Sequence, residues 1–268
     1  MPASLPSSGS SPVRIVRSSA IWEITLDRPK ANAIDAATSN ALAQAFIAFR
    51  DDANARVAIL TGGGEKFFSA GWDLKDAAAN GAEGDYGPGG FAGLTELFDL
   101  NKPVIAAING LTVGGGFELA LACDLIVAAD GVEFFLPEAS IGVIPDAGGI
   151  LRLPRRLPHA IALEMMLTGK HLSAADALRF GLINAIAAPG RLMAEARALA
   201  ERIVASAPLS VMAIKAVLAR TQGLSVEDGY RAMRGGGIVA YERMKHSADY
   251  FEGAKAFAEK RKPVWSGR

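Results

Sequence analysis

Cysteine is nearly absent. Cys123 is the one thiol in 268 residues, so the chain cannot close a disulfide on itself. It sits in the apolar run LALACD, where an inert buried thiol is the ordinary outcome, and the lack of bridges fits a reducing, cytoplasmic compartment. Histidine is scarce: His159, His171 and His246 stand apart without ligand spacing, and no metal site is expected. Neither sign of charge is in excess. With 28 Lys+Arg against 28 Asp+Glu, there is no electrostatic footprint for nucleic acid or an anionic membrane. No unbroken apolar stretch is long enough to span a bilayer. The opening MPASLPSSGSSP lacks the basic and apolar regions of a secretory leader, so none is expected. No GxGxxG follows a strand with an acidic residue beyond it, and no GxxxxGKS/T occurs, which disfavours the nucleotide folds with those fingerprints.

What is present is apolar: 50% of the residues are hydrophobic, enough for a real core. Residues 1–12 are Ser/Pro-rich and expected to be disordered. Alternation on both sides of Ser18-Ser19 predicts a hairpin, Val13–Arg17 with Ala20–Leu26. A helix follows, capped by Asp35 or Thr38, with Leu42, Phe46 and Phe49 on its core face. The continuous apolar runs VAILTG, KPVIAAING and DLIVAA read as buried parallel strands, each leading into glycine and then a helix, an α/β arrangement with ligands at the strand ends. GAEGDYGPGGFAG (Gly81 to Gly93) reads as a lid or as linker. After Gly149 the pattern is helical apart from LINAIAA. Pro208 opens a last helical region, broken at Gly235-Gly236-Gly237.

The chemistry concentrates between Asn109 and Gly149. Gly114-Gly115-Gly116 opens an apolar helix, Glu118 lies in its first turn, and Glu138 follows behind Pro137. Glycines ahead of a helix allow close approach to unpaired N–H groups, which suit a negatively charged oxygen. Two carboxyls beside that oxygen can move protons. Capping accounts for the same glycines and first-turn glutamate, and spacing alone leaves both readings open.

FFSAGWDL, KPVIAAING, GGGFELALACD, LPEASIGVIPDAGG and FAEKRKPVWSGR together resemble the enoyl-CoA hydratase/isomerase (crotonase) superfamily. DRPKANAID, EKFFSAGWDLK, GPGGFAGLTE and KPVWSGR resemble its carnitinyl-CoA dehydratase subgroup most. The resemblance implies a crotonase-like α/β fold: a spiral of β-β-α turns over 13–207 and a helical trimerisation region over 208–268. It also implies a homotrimer or dimer of trimers, an acyl-CoA thioester as ligand, and no metal or cofactor beyond the coenzyme A of the substrate.

On the same ground, the backbone N–H groups of Ala70 and Gly115 form an oxyanion hole. Glu118 is the base toward water, and Glu138 gives and takes the α-proton. Lys30, Ala31, Asn32, Gly71, Asp73 and Gly114 line the CoA and acyl path. Lys260 reaches CoA from a neighbouring subunit or is simply a solvated helix end. Trp72, with Phe117, is expected to meet a cationic acyl end, although packing alone also accounts for a tryptophan. Asp146 stands where plain hydratases carry glycine. Helix capping is favoured for it over proton transfer, and it also lines the expected substrate site. The expected activity is reversible hydration of an α,β-unsaturated acyl-CoA, crotonobetainyl-CoA above all. The alternatives are an isomerase using Glu138 or Asp146 as base and a non-catalytic RNA-binding relative, which the balanced charge disfavours.

Overall fold

The alternation in VRIVRS and IWEITL produces two antiparallel strands, β1 (Val13–Ser18) and β2 (Ile21–Leu26), in register from Val13–Leu26 to Ser18–Ile21. The computed structural model describes residues 11–18, 20–80 and 85–268. Most of the expected N-terminal tail, Ser19 of the hairpin turn and the start of the Gly81–Gly93 loop lie outside the described residues. Helix α1 (Ala36–Asp51) is capped by Asp35, whose carboxylate accepts the Thr38 N–H at 2.7 Å. It buries Leu42, Phe46 and Phe49.

The rest of the core is a stepwise repeat. Strand β3 (Val57–Gly62) steps to β4 (Phe67–Ser69) and then helix α2 (Leu74–Asn80). The second step runs β5 (Val104–Ile108), β6 (Leu111–Val113) and helix α3 (Gly115–Ala122). In the third, β7 (Leu125–Ala129) leads to β8 (Glu133–Phe135) and a single 3₁₀ turn, Glu138–Ile141. Short helices α4 (Gly149–Arg152) and α5 (His159–Thr168) follow. After them come β9 (Leu172–Ser173), α6 (Ala174–Arg179) and β10 (Ala185–Ala187).

The first strands of each step join a six-stranded sheet ordered β1-β2-β3-β5-β7-β10, parallel from β2 onward. The second strands form a smaller sheet, β4-β6-β8-β9. This is the expected spiral. The large sheet is covered on both faces, as a parallel sheet must be. Val57 and Ile59 pack toward Ala196 and Ala200 of α7 (Leu192–Val204), while Ala58 and Leu60 join the main core with Phe46 and Phe68.

Beyond α7 the chain is helical: α8 (Pro208–Thr221), α9 (Val226–Arg234), α10 (Val239–Lys245) and α11 (Asp249–Ala258). Lys215 anchors α8 to the large sheet through Asp124 at 2.8 Å. The C-terminus folds back, with the Ser266 and Gly267 N–H groups bonded to the Asp249 carboxylate.

Candidate active site

Strands β4, β6 and β8 run side by side and parallel. Their C-terminal ends therefore deliver three segments to one place: Ala70–Asp73, Gly114–Glu118 and Pro137–Glu138. Gly114 turns the chain with φ 52, and its N–H bonds to Phe135 O of the neighbouring strand. The Gly115 N–H, first in α3, then has no acceptor among the described residues, as helix geometry requires.

The second amide differs from expectation. The Ala70 N–H donates to Ala31 O at 2.9 Å and the Gly71 N–H to Ser69 Oγ at 3.1 Å. Both are engaged, so Ala70 is corrected as a cradle donor. The free amide is one step further on, at Trp72, which donates to nothing among the described residues. A Cβ placed on Gly115 would lie 3.4 Å from the Trp72 nitrogen and 2.5 Å from the Phe91 ring. The two amides thus border the same space. Gly71 completes the approach at φ 79, where an added Cβ would come within 2.7 Å of the Gly115 nitrogen.

The glutamates flank this cradle. Glu118, 3% exposed, accepts the Gly149 N–H through Oε1 at 2.7 Å. Burial pushes its carboxyl up to about 8; the Gly149 N–H pulls it down, and the charges of Glu138 and Asp146 push it further up. Glu138, 8% exposed, leaves Oε2 buried without a partner among the described residues. Its pKa is also raised by burial, against a bond from its own backbone N–H and with a push from Asp146. A Cβ on Gly114 would sit 2.8 Å from Glu138 Oε1, so Glu138 lies on the cradle side of the pair and Glu118 on the Gly149 side.

Asp146 is exposed, its charge pushes both glutamates up, and it is not the cap expected of it. Helix α4 begins behind Gly148 with no side-chain cap bond. The carboxylate of Asp146 makes no hydrogen bond or ion pair among the described residues. It also acts on Tyr86, whose phenol is raised by burial, lowered by the indole N–H of Trp72, and raised again by Asp146 and Asp76. Tyr86 stands edge-on to Phe91 at 5.4 Å. Sequence reasoning missed Tyr86, Phe91, Gly149 and Arg152, the cation that acts on Glu118. A signal for Gly149 was there in the paired glycines of DAGG; a lone Tyr in a Gly-rich loop gave none.

Other expected ligand residues are committed to the fold. The Asn32 amide donates to Gly63 O, Phe67 O and Phe68 O, and its oxygen accepts the Arg28 N–H. Ala31 supplies the carbonyl for Ala70. Asp73 pairs with Arg28 at 2.7 Å and holds the first turn of α2. Phe117 is fully buried on Phe134 and offers no surface to a ligand. Lys30 is exposed beside the loop. Lys260 is exposed at the end of α11, with no bond to the segments that carry the glutamates.

Free amides at a helix start, beside two buried carboxyls of raised pKa, define an enzyme type that moves protons next to a stabilised oxyanion. The chain belongs to the enoyl-CoA hydratase/isomerase family, whose pattern matches residues 16–268. Relatives named carnitinyl-CoA dehydratase are 58% identical: that of Salmonella arizonae over 95% of this chain and 98% of its own, and that of Salmonella typhi over 96% and 98%. Among solved structures, an enoyl-CoA hydratase from Mycobacterium tuberculosis superposes with a TM-score of 0.88 at 43% identity, covering 97% of this chain and all of that one. One from Bacillus anthracis reaches 0.86 at 34% identity, covering 96% of this chain and 100% of its own. The fold is therefore the crotonase fold of these enzymes.

Proposed function

We propose that this protein is a hydro-lyase that interconverts a β-hydroxyacyl-CoA and its α,β-unsaturated thioester, with carnitinyl-CoA and crotonobetainyl-CoA as the preferred pair. The observation that carries this reading is the buried Glu138 carboxyl, whose Oε1 lies beside Gly114 and whose Oε2 has no partner among the described residues, in a site that holds a second buried glutamate. The thioester oxygen sits between the N–H groups of Trp72 and Gly115, where charge accumulates as the α-carbon loses its proton. Glu138, on the cradle side, takes that α-proton. Glu118 carries the proton that leaves with the β-hydroxyl as water. A carboxyl titrating near 8 holds that proton at neutral pH, as the acid of elimination must. Hydration runs the same steps backwards: Glu118 takes the proton of the attacking water and Glu138 returns one to the α-carbon. Coenzyme A is part of the substrate, and the reading needs no further cofactor.

The 208–268 helices support an oligomer as the working form. Val226 is 81%, Val239 79% and Phe257 87% exposed, and a homotrimer or a dimer of trimers that covers them is the form we favour. A cytoplasmic setting goes with a CoA substrate.

Incubating the protein with crotonobetainyl-CoA, carnitinyl-CoA and crotonyl-CoA tests the reading. Loss of the enoyl-thioester absorbance with uptake of one oxygen from labelled water is expected, fastest with the betaine. A shifted double bond without oxygen uptake makes the protein an isomerase instead.

A further inference from the structure

The two glycines of the DAGG turn make room for different partners. Gly149 gives its N–H to Glu118. Gly148, at φ 108, leaves space for a guanidinium, because a Cβ there would overlap Arg152 Nη1. Arg152 closes α4 and reaches back over the turn. Its Nη1 donates to Ala147 O at 3.5 Å and its Nη2 to Thr95 O at 2.5 Å. Thr95 is a firm anchor. It is 1% exposed, and its hydroxyl donates to Phe91 O at 2.8 Å. The adjoining Ala92 N–H donates to Ser39 Oγ of α1 at 2.9 Å. One side chain therefore joins the turn that clamps Glu118 to a segment docked on α1. Arg152 makes no ion pair among the described residues, and both of its bonds go to main-chain carbonyls. Burial pushes its pKa down, Arg156 and Arg155 push the same way, and the charge of Glu118 pushes back up.

We propose that Arg152 is a positioning residue for Glu118: it straps the 147–149 turn, and with it the Gly149 N–H that holds the carboxyl, to Thr95, and it fixes a positive charge over that turn. The role rests on the hydro-lyase reading for the two states that Glu118 must visit. The carboxyl is protonated when water leaves and ionised when water is activated. Burial alone keeps the proton on, and the charges of Glu138 and Asp146 act in the same direction. The Gly149 N–H and the Arg152 charge oppose them. The strap supplies both opposing influences, one through the bond it holds in place and one through its own charge. An acid that must also serve as a base in the reverse direction needs them.

Two variants separate the strap from the charge. Arg152→Gln keeps a donor and loses the charge; Arg152→Lys keeps the charge and loses the planar fork. The readouts are kcat and KM for hydration of crotonobetainyl-CoA, the pH dependence of that kcat, and exchange of the butyryl-CoA α-protons with solvent. Hydration uses the ionised Glu118, so its kcat rises with pH as that carboxyl loses its proton. Arg152→Gln should lower kcat at neutral pH by about ten- to a hundredfold, as a displaced catalytic group does. Its KM should stay near the wild-type value, and its rise should move to higher pH. Arg152→Lys should also lower kcat but keep the rise where the wild type has it. Exchange of the α-protons needs only the cradle and Glu138 and should survive in both variants. An Arg152→Gln protein whose rise stays in place overturns the role, and so does a loss of exchange as large as the loss of hydration. If the wild type hydrates no enoyl-CoA, the hydro-lyase reading fails, and carbon NMR of the Glu118 carboxyl, assigned with Glu118→Gln, decides the role of Arg152. A titration midpoint higher in Arg152→Gln than in the wild type supports it, and an unmoved midpoint overturns it.

Discussion

The Gly149 N–H is bonded to Glu118 Oε1 at 2.7 Å, so the first residue of α4 holds the acid carried by α3. The clamp leaves no slack. A Cβ at residue 149 would meet Pro145 Cβ at 2.9 Å and Glu118 Oε1 at 3.0 Å. Gly149→Ala is therefore expected to displace the carboxyl it holds. Turnover should fall by more than tenfold, with a stability loss of about 1–3 kcal/mol from overpacking. Steady-state kinetics and a thermal melt check this together. An alanine variant with native kcat and native Tm removes the clamp from the account.

The raised pKa of Glu118 has a consequence for stability. In the unfolded chain this carboxyl titrates near 4.5, in the folded protein near 8. Between those values the folded state holds a proton that the unfolded state has lost. The stability this confers is full below pH 4.5 and disappears as pH rises through 8. The window corresponds to a few kcal/mol, roughly 1.4 per pH unit. Glu118→Gln keeps an acceptor for Gly149 and cannot ionise, so its Tm should match the wild type near pH 5 and exceed it at pH 8.5. A difference that grows toward acid instead contradicts the burial argument.

The two glutamates are distinguishable by the step each controls. Glu118→Gln and Glu138→Gln should each lower hydration by about 10²–10⁴-fold, the range of a lost acid or base. Exchange of the α-protons of butyryl-CoA with deuterated solvent needs the cradle-side base alone. Proton NMR should show exchange surviving in Glu118→Gln and lost in Glu138→Gln. The opposite pattern exchanges their roles.

Much of this was legible beforehand, for identifiable reasons. The hairpin, α1 and the buried parallel strands β3, β5 and β7 carry strong periodic or continuous apolar signals. The motifs around Glu118 and Glu138 are specific enough to name the family. The small sheet was not legible, because β4, β6 and β8 are three residues each, too short for any period. That sheet gathers the site, so details that depend on it were misread. The family motif points to Ala70 as the free amide, and only the fold reveals that Ala31 O already accepts from it. Phe117 was assigned to the ligand because an apolar helix start does not disclose which ring faces the core. Tyr86 lies in a loop without pattern, and only the fold reveals that its ring stands on Phe91.

Gly71 tests the cradle itself. Its φ of 79 already disfavours a side chain, and an added Cβ would press on Val113 O at 2.6 Å and on the Gly115 nitrogen at 2.7 Å. Gly71→Ala should move the Trp72 and Gly115 amides apart. Losing one such donor typically lowers kcat by about 10²–10³-fold, with a smaller effect on KM because the ground-state carbonyl is less charged than the enolate. If KM rises while kcat is kept, these amides contribute to binding rather than to the transition state.

Asn32 separates a ligand role from a structural one. Its amide spans the carbonyls of Gly63, Phe67 and Phe68, and its backbone takes a φ of 51. Alanine loses both the bonds and the tolerated conformation; glycine loses only the bonds. Both variants should be destabilised, because the buried Phe68 carbonyl and the part-buried Gly63 carbonyl lose their donor, while Phe67 O keeps the Asn109 amide; a buried group left unpaired costs about 1–3 kcal/mol. The alanine variant should be the worse, since a left-handed backbone disfavours its Cβ. At temperatures where both remain folded, KM for the acyl-CoA should stay near the wild-type value, because Asn32 is 4% exposed and its polar atoms are engaged. An Asn32→Gly protein with native Tm and a raised KM for acyl-CoA would return Asn32 to the ligand path that the family resemblance implies.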